Sequence, residues 1–158
     1  MKKKIAFVHN AMWEMYNFRG ELLQELKAKG YEITVICPPD EKNAHYFTDL
    51  GIKLLTVPMS RKGTNIKEDV QLVKNLFKVY KKEKFDLVFH YTIKPNIYGT
   101  LAAKLAGIKS IAITTGLGYV FLHNNITSLI AKFMYKFSLA FANEVWFLND
   151  DDMNIFLD

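Results

Sequence analysis

The sequence predicts a Rossmann-like α/β fold, a doubly wound parallel sheet with helices on both faces. Short apolar, β-rich runs recur six times, at residues 5–8, 33–37, 52–57, 87–89, 108–114 and 145–148. A helical pattern follows each run, and near-continuous apolar strands separated by helices belong to parallel sheets buried on both faces. At 158 residues, half of them hydrophobic, the chain furnishes a single packed core.

Taken in order, the first strand (5–8) is too short for the roughly 7 to 15 apolar residues of a signal-peptide core. It leads into His-Asn-Ala-Met-Trp-Glu-Met-Tyr-Asn-Phe-Arg-Gly at 9–20, which places Asn17 and Arg19 at the head of a first helix. Phe18, Leu22, Leu23 and Leu26 are expected to form its buried face, and Gly30 to stop it. After the second strand (33–37), Asp40 behind Pro38-Pro39 caps a helix running to about residue 50, before the third strand (52–57). Asn65 caps the next helix with Glu68 at its third position, and Ile66, Val70, Val73, Phe77 and Tyr80 mark an amphipathic stripe.

After the fourth strand (87–89), Pro95-Asn96 opens a helix carrying Ile97, Leu101 and Leu105 that ends at Gly107, ahead of the fifth strand (108–114). The helix expected over 125–142 is the most apolar segment, interrupted by Lys132 and Lys136 and short of the roughly 20 apolar residues of a membrane span. It reads as a buried crossover helix, with a helix resting on a membrane surface as the alternative. The sixth strand (145–148) ends near Asn149, where Asp150, Asp151 and Asp152 fill the first turn of a helix and complement its dipole rather than hold a metal. That unfinished helix suggests a piece of a longer protein.

Twenty-one Lys and Arg against sixteen Asp and Glu leave a formal charge of +5, which favours anionic partners. A single Cys37 excludes an internal disulfide and fits a reducing, cytoplasmic setting.

In a sheet ordered 3-2-1-4-5-6, ligands bind past the carboxyl ends of the strands, at the crevice between the first and fourth. Those ends are His9-Asn10, His90-Tyr91-Thr92 and the run from Thr114 through Thr115 and Gly116 to Gly118. A dinucleotide site needs a glycine-rich first turn and an acidic residue on strand two; the loop is bulky and strand two ends Ile36-Cys37-Pro38, so NAD is excluded. Asn17 and Arg19 instead suit an anion, with the guanidinium adding charge-assisted bonds. Lys94 and Asn96 flank Pro95 at another helix head, and the backbone of Thr115, Gly116 and Gly118 can form an anion nest. His9 and His90 end neighbouring strands and are both expected to face the crevice as base or hydrogen-bonding group. Two histidines without a third ligand make no zinc site, and nothing in the sequence demands a metal or other cofactor.

Taken together, three stretches are more specific than any one motif: residues 4–10, Tyr16-Asn17-Phe18-Arg19 with the leucines after it, and Gly30-Tyr31-Glu32-Ile33-Thr34-Val35. They resemble the start of family-4 retaining glycosyltransferases of the GT-B fold. The run from Ile93 to Gly99, Ala102-Ala103-Lys104, and Thr115 through Phe121 look like the bacterial branch that builds lipid-linked oligosaccharides, capsule and O-antigen, including α-1,3-N-acetylgalactosaminyltransferases. The resemblance covers essentially the whole chain. It implies that residues 1–158 are the N-terminal, acceptor-binding half of a two-domain enzyme, with the nucleotide-sugar domain lying beyond this chain. It also implies a histidine just after the fifth strand, where this sequence has Thr114-Thr115-Gly116. That departure leaves the acid/base residue unassigned, with His90 as the candidate.

The expected function is therefore transfer of a sugar, an N-acetylhexosamine among the candidates, from a UDP-sugar to a polyprenyl-diphosphate-linked saccharide. The substrate-binding set is Asn10, Asn17, Arg19, His90, Lys94, Asn96, Thr115, Gly116 and Gly118. An anionic membrane is the further expected partner, placing the protein at the inner face of a bacterial plasma membrane, and nucleic acid is not expected. A sugar-nucleotide 2-epimerase and a non-catalytic saccharide- or anion-binding domain are the competing readings.

Overall fold

Strand β1 (Lys4–Val8) forms the centre of a six-stranded sheet in which β2 (Glu32–Cys37), β3 (Lys53–Thr56), β4 (Leu87–Tyr91), β5 (Lys109–Thr114) and β6 (Glu144–Phe147) all run parallel. The computed structural model describes residues 2–61, 65–117, 121 and 126–157. The strand order is 3-2-1-4-5-6, the order on which the expected crevice rests, so β1 and β4 flank the point where chain winding reverses.

Helices α1 (Met12–Ala28) and α2 (His45–Asp49) connect the first three strands. They pack on one face over Phe7, Val35 and Ile113 through Met12, Met15, Leu23 and Phe47. The other face carries α3 (Ile66–Glu83), a π-helical turn (Pro95–Gly99) continuing into α4 (Thr100–Ala106), and α5 (Ile126–Leu139). Helix α6 (Asp150–Leu157) joins that side through Phe156. Alternation along the strands divides the core: Phe7 and Tyr91 lie on the α1 side, Val8 and His90 on the α3 side.

Local signals explain most boundaries. Asn65 Oδ1 accepts from the backbone N–H groups of Lys67 and Glu68 while its amide donates to Glu68, a reciprocal cap. Gly107 closes α4 at φ +72°, a left-handed conformation suited to glycine. Asn149 Oδ1 accepts from the Asp152 N–H, so the three aspartates occupy the first turn of α6 as expected. Cys37 is fully buried, and burial pushes its thiol up to about 12, which leaves it unreactive.

Several expected faces are corrected. Helix α1 starts at Met12, with Ala11 as a cap that offers no side-chain bond, so Asn17 and Arg19 sit in its second turn and beyond, away from the free N–H groups. Phe18 and Leu22 are exposed; the buried positions are Met12, Met15 and Leu23. On α3, Ile66 and Val70 are exposed, and the buried residues are Asp69, Leu72, Leu76 and Tyr80. Leu105 is exposed as well. Helix α5 buries only one side: Tyr135 and Leu139 enter the core, whereas Ile126, Leu129, Ile130, Phe133 and Phe137 are exposed. Among the described residues no helix is long and apolar enough to cross a membrane.

Candidate functional site

A cleft of about 290 Å³ opens at the carboxyl edge of the sheet, lined by His9, Glu14, Phe18, Arg19, Tyr91, Thr115 and Leu148. A larger depression of about 360 Å³ lies at the opposite, amino-terminal edge among Lys2, Lys4, Lys27 and Lys53. Those lysines largely serve the fold: Lys4 and Lys27 donate to backbone carbonyls, and Lys53 pairs with Glu83. The carboxyl-edge cleft is therefore the candidate, and it sits where ligands enter doubly wound sheets.

His9 leaves β1 with its backbone N–H still bonded to the Ile36 carbonyl of β2, 3.1 Å away. Its Nδ1 accepts from the Ala11 N–H at 3.0 Å, so in the neutral ring the proton belongs on Nε2. Burial lowers its pKa to about 4, with Arg19 and Arg61 acting in the same direction and Glu14 opposing. The ring is therefore a neutral donor at ordinary pH. Glu14, in the first turn of α1, places Oε2 at 3.9 Å from His9 Nε2 and pairs with Arg61 from the segment after β3.

Arg19 reaches the cleft from the middle of α1. Its Cζ lies 5.2 Å from the centre of the Tyr91 ring, and Nη1 donates to the Phe18 carbonyl at 2.8 Å. Burial raises the Tyr91 pKa, against the pull of Arg19, so the hydroxyl stays protonated. Thr115 completes the wall, followed by Gly116 at φ +147°, a conformation that side chains rarely adopt. Behind them the Leu117 N–H reaches Asp152 Oδ1 at 3.5 Å.

Two polar atoms are buried here without a partner. Asn10 Oδ1 and Thr92 Oγ1 belong to residues two positions past the paired Val8 and His90 of β1 and β4. Thr92 also adopts φ +69°, a strained choice for a β-branched residue. Asn96 Oδ1 and Ser138 Oγ are unpaired in the core as well, so it is the backbone strain at Thr92, beside an unpaired oxygen at the switch point, that marks the crevice.

Three residues expected in the crevice are elsewhere. His90 is fully buried on the α3 side, with Nε2 2.9 Å from the Tyr80 hydroxyl and Nδ1 3.4 Å from Thr100 Oγ1. A Cβ on Gly99 would meet its ring at 2.4 Å, so Gly99 exists to admit it. Burial lowers the His90 pKa to about 3. A ring so enclosed is a packing group, and its candidacy as acid/base residue is corrected. Lys94 points inward, with Nζ 2.7 Å from both Asp69 Oδ1 and Ser60 Oγ, while the Tyr98 hydroxyl donates to Asp69 Oδ2. Asn96, also fully buried, donates to the Ile113 carbonyl and the Tyr135 hydroxyl. Both side chains clamp the π-helical turn to its neighbours instead of facing a ligand.

Of the remaining expected residues, Arg19 and Thr115 line the cleft, and Asn10 and Gly116 adjoin it in sequence. Asn17 is exposed on α1 and is not among the lining residues, and Gly118 lies outside the described residues. Sequence reasoning missed Glu14, Phe18, Tyr91 and Leu148 as site residues. Alternation along β4 was the available signal for Tyr91, since His90 and Tyr91 cannot face the same way. For Glu14 and Phe18 it was their i, i+4 spacing, which puts both on one side of a helix. Among the described residues no cluster of His, Cys, Asp or Glu is arranged to hold a metal.

The chain matches the glycosyl transferase 4-like family over residues 4–149. It is 31% identical over 157 residues to the N,N'-diacetylbacillosaminyl-diphospho-undecaprenol alpha-1,3-N-acetylgalactosaminyltransferase of Campylobacter jejuni, covering 94% of this chain and 41% of that protein. It is 25% identical over 126 residues to the UDP-Gal:alpha-D-GlcNAc-diphosphoundecaprenol alpha-1,3-galactosyltransferase of Escherichia coli, covering 79% and 32%. The chain thus spans less than half the length of either curated relative. In solved structures, the UDP-GlcNAc 2-epimerase from Neisseria meningitidis bound to UDP-GlcNAc superposes with a TM-score of 0.69 at 16% identity, covering 98% of this chain and 43% of that one. At that identity the likeness shows the fold alone.

Proposed function

The chain belongs to the glycosyl transferase 4-like family, and from that premise we propose that it is the acceptor-binding part of a retaining glycosyltransferase of the GT-B fold. The whole protein moves a sugar, an N-acetylhexosamine or hexose, from a UDP-sugar to a polyprenyl-diphosphate-linked saccharide. A second domain, beyond this chain, holds most of the donor; relatives more than twice as long support that division. The observation that carries the reading is Arg19, stacked on Tyr91 in a cleft at the switch point, where its guanidinium takes a diphosphate with charge-assisted bonds. Phe18, Tyr91 and Leu148 supply apolar walls that keep water from that contact. Asn10 and Thr115 offer polar partners beside it, and Asn17 has no part in the contact.

A lipid-linked acceptor also accounts for α5. Its exposed Ile126, Leu129, Ile130, Phe133 and Phe137 form an apolar face bordered on one side by Lys132 and Lys136, whose ammonium groups lie over Phe121 and Phe156, an arrangement suited to an anionic bilayer. The protein then works peripherally at the inner face of a bacterial plasma membrane.

The test is Arg19→Ala in the full-length protein, assayed with a UDP-sugar and a polyprenyl-diphosphate saccharide. The expected result is an acceptor KM raised about tenfold or more, the worth of a charge-assisted pair. Unchanged acceptor KM and kcat overturn the reading of the cleft. Conversion of the UDP-sugar to an epimer without any acceptor overturns the transferase itself. Equal sedimentation with neutral and anionic vesicles removes the electrostatic part of the membrane contact.

A further inference from the structure

We propose that His9 and Glu14 form a hydroxyl-binding subsite that recognises a neutral sugar of the acceptor, and that Arg61 is the positioning residue that lets Glu14 do so beside an anion. The inference rests on the reading of the cleft as the acceptor side and adds to it a sugar contact separate from Arg19. Because Nδ1 of His9 is occupied by the Ala11 N–H, the ring turns its Nε2–H toward Glu14. The two groups are 3.9 Å apart, too far for a hydrogen bond between them. One hydroxyl oxygen about 2.8 Å from each accepts from Nε2 and donates to the carboxylate. A hydroxyl is the ligand group that fills both roles at once; an anionic oxygen satisfies the imidazole and is repelled by Glu14.

The surroundings suit a sugar ring. Phe18 lines the same cleft and is largely exposed, with Trp13 against its edge at 6.5 Å, also half exposed. An exposed aromatic face beside a paired donor and acceptor binds a pyranose, which presents C–H groups on its face and hydroxyls on its rim.

Arg61 explains how an acid is tolerated next to a diphosphate. Glu14 and Arg61 neutralise each other, leaving Arg19 as the uncompensated charge in the cleft. The segment carrying Arg61 is anchored one residue earlier, where Lys94 donates to Ser60. Loss of Arg61 therefore exposes the diphosphate to Glu14, whereas loss of the Glu14 charge affects the sugar.

Those opposite effects define the experiment. The isotopically labelled chain is titrated by NMR with two probes, the neutral methyl α-glycoside of N-acetylglucosamine, the sugar that heads the lipid-linked acceptor of one relative, and inorganic pyrophosphate, following the His9 side-chain nitrogens and the Phe18 amide. The expected result is a His9 Nε2 shift with the glycoside, which Glu14→Gln weakens about tenfold while pyrophosphate binding holds or tightens. Arg61→Ala weakens pyrophosphate several-fold and spares the glycoside. In the full-length enzyme Glu14→Gln raises acceptor KM and leaves kcat within twofold, a split that a folding defect does not produce. Glycoside binding that Glu14→Gln leaves unchanged, or that misses His9, overturns this subsite while Arg19-dependent pyrophosphate binding preserves the functional reading. Pyrophosphate binding indifferent to Arg19→Ala overturns the functional reading instead.

Discussion

Strands β1 and β4 end side by side at the carboxyl edge of the sheet, and each strand end together with the helix that follows it supplies a histidine, an asparagine and a cation. His9 past β1 and Arg19 of α1 face a cleft; His90 of β4, with Lys94 and Asn96 beyond it, is sealed inside. The difference lies in what packs above. On the β1 side an opening remains between Phe18 of α1 and Tyr91. On the β4 side the π-helical turn closes over the strand, with Gly99 against His90 and Tyr98 bonded to Asp69 of α3. Polar chemistry alone thus says little about a ligand, because the same residue types bond largely to one another when enough neighbours reach them, with Asn96 Oδ1 alone of that trio left unpaired.

The largest effect that tests the contrast is expected on the sealed side. Lys94→Ala strands Asp69 as a buried charge, and chemical denaturation should read a loss of about 3–5 kcal/mol. Acid comes next and touches both strand ends. His9 and His90 titrate at about 4 and about 3 in the fold, below the 6.5 of an unfolded chain, so the unfolded chain takes up protons first. Stability is at its full value above about pH 7.5 and falls by about 2.5 kcal/mol per ring as pH drops to about 4.5. Denaturation midpoints against pH check this, and His9→Gln should remove one ring's share.

Gly99→Ala drives a methyl into the His90 ring, with an expected cost of about 1–3 kcal/mol. Combining it with His90→Ala should cost less than the sum of the two single changes; strict additivity would mean that the contact is not what constrains residue 99. On the open side, Arg19→Ala should change stability by no more than about 0.5 kcal/mol while lowering pyrophosphate affinity about tenfold. Asn17→Ala should be the quietest, within about 0.5 kcal/mol and without effect on ligand, since its side chain is exposed and lines nothing.

The strand runs and their parallel arrangement were legible because a strand buried on both faces has few compositions open to it, and helix caps such as Asn65 are local; strand order is not written in composition, since doubly wound sheets adopt more than one. Helix faces were less so. Phe18 and Leu22 look like core and are exposed, while Asp69 looks like surface and is buried, because Lys94 and Tyr98 from distant positions reach it. The start of α1 was misplaced because nothing at Ala11 caps it; the helix begins where Met12 and Met15 find the sheet. Glu14 and Tyr91 were passed over because neither belongs to a motif.

By itself, then, the sequence determined the class of sheet and the lack of a glycine-rich dinucleotide loop, which follow from periodicity, punctuation and the absence of glycine in residues 10–19. Tertiary structure alone decided which histidine and which cation meet the crevice between β1 and β4. Burial and ion pairing are properties of a site assembled from segments dozens of residues apart, as Lys94 with Asp69 and Glu14 with Arg61 are, and no local pattern records which partners arrive.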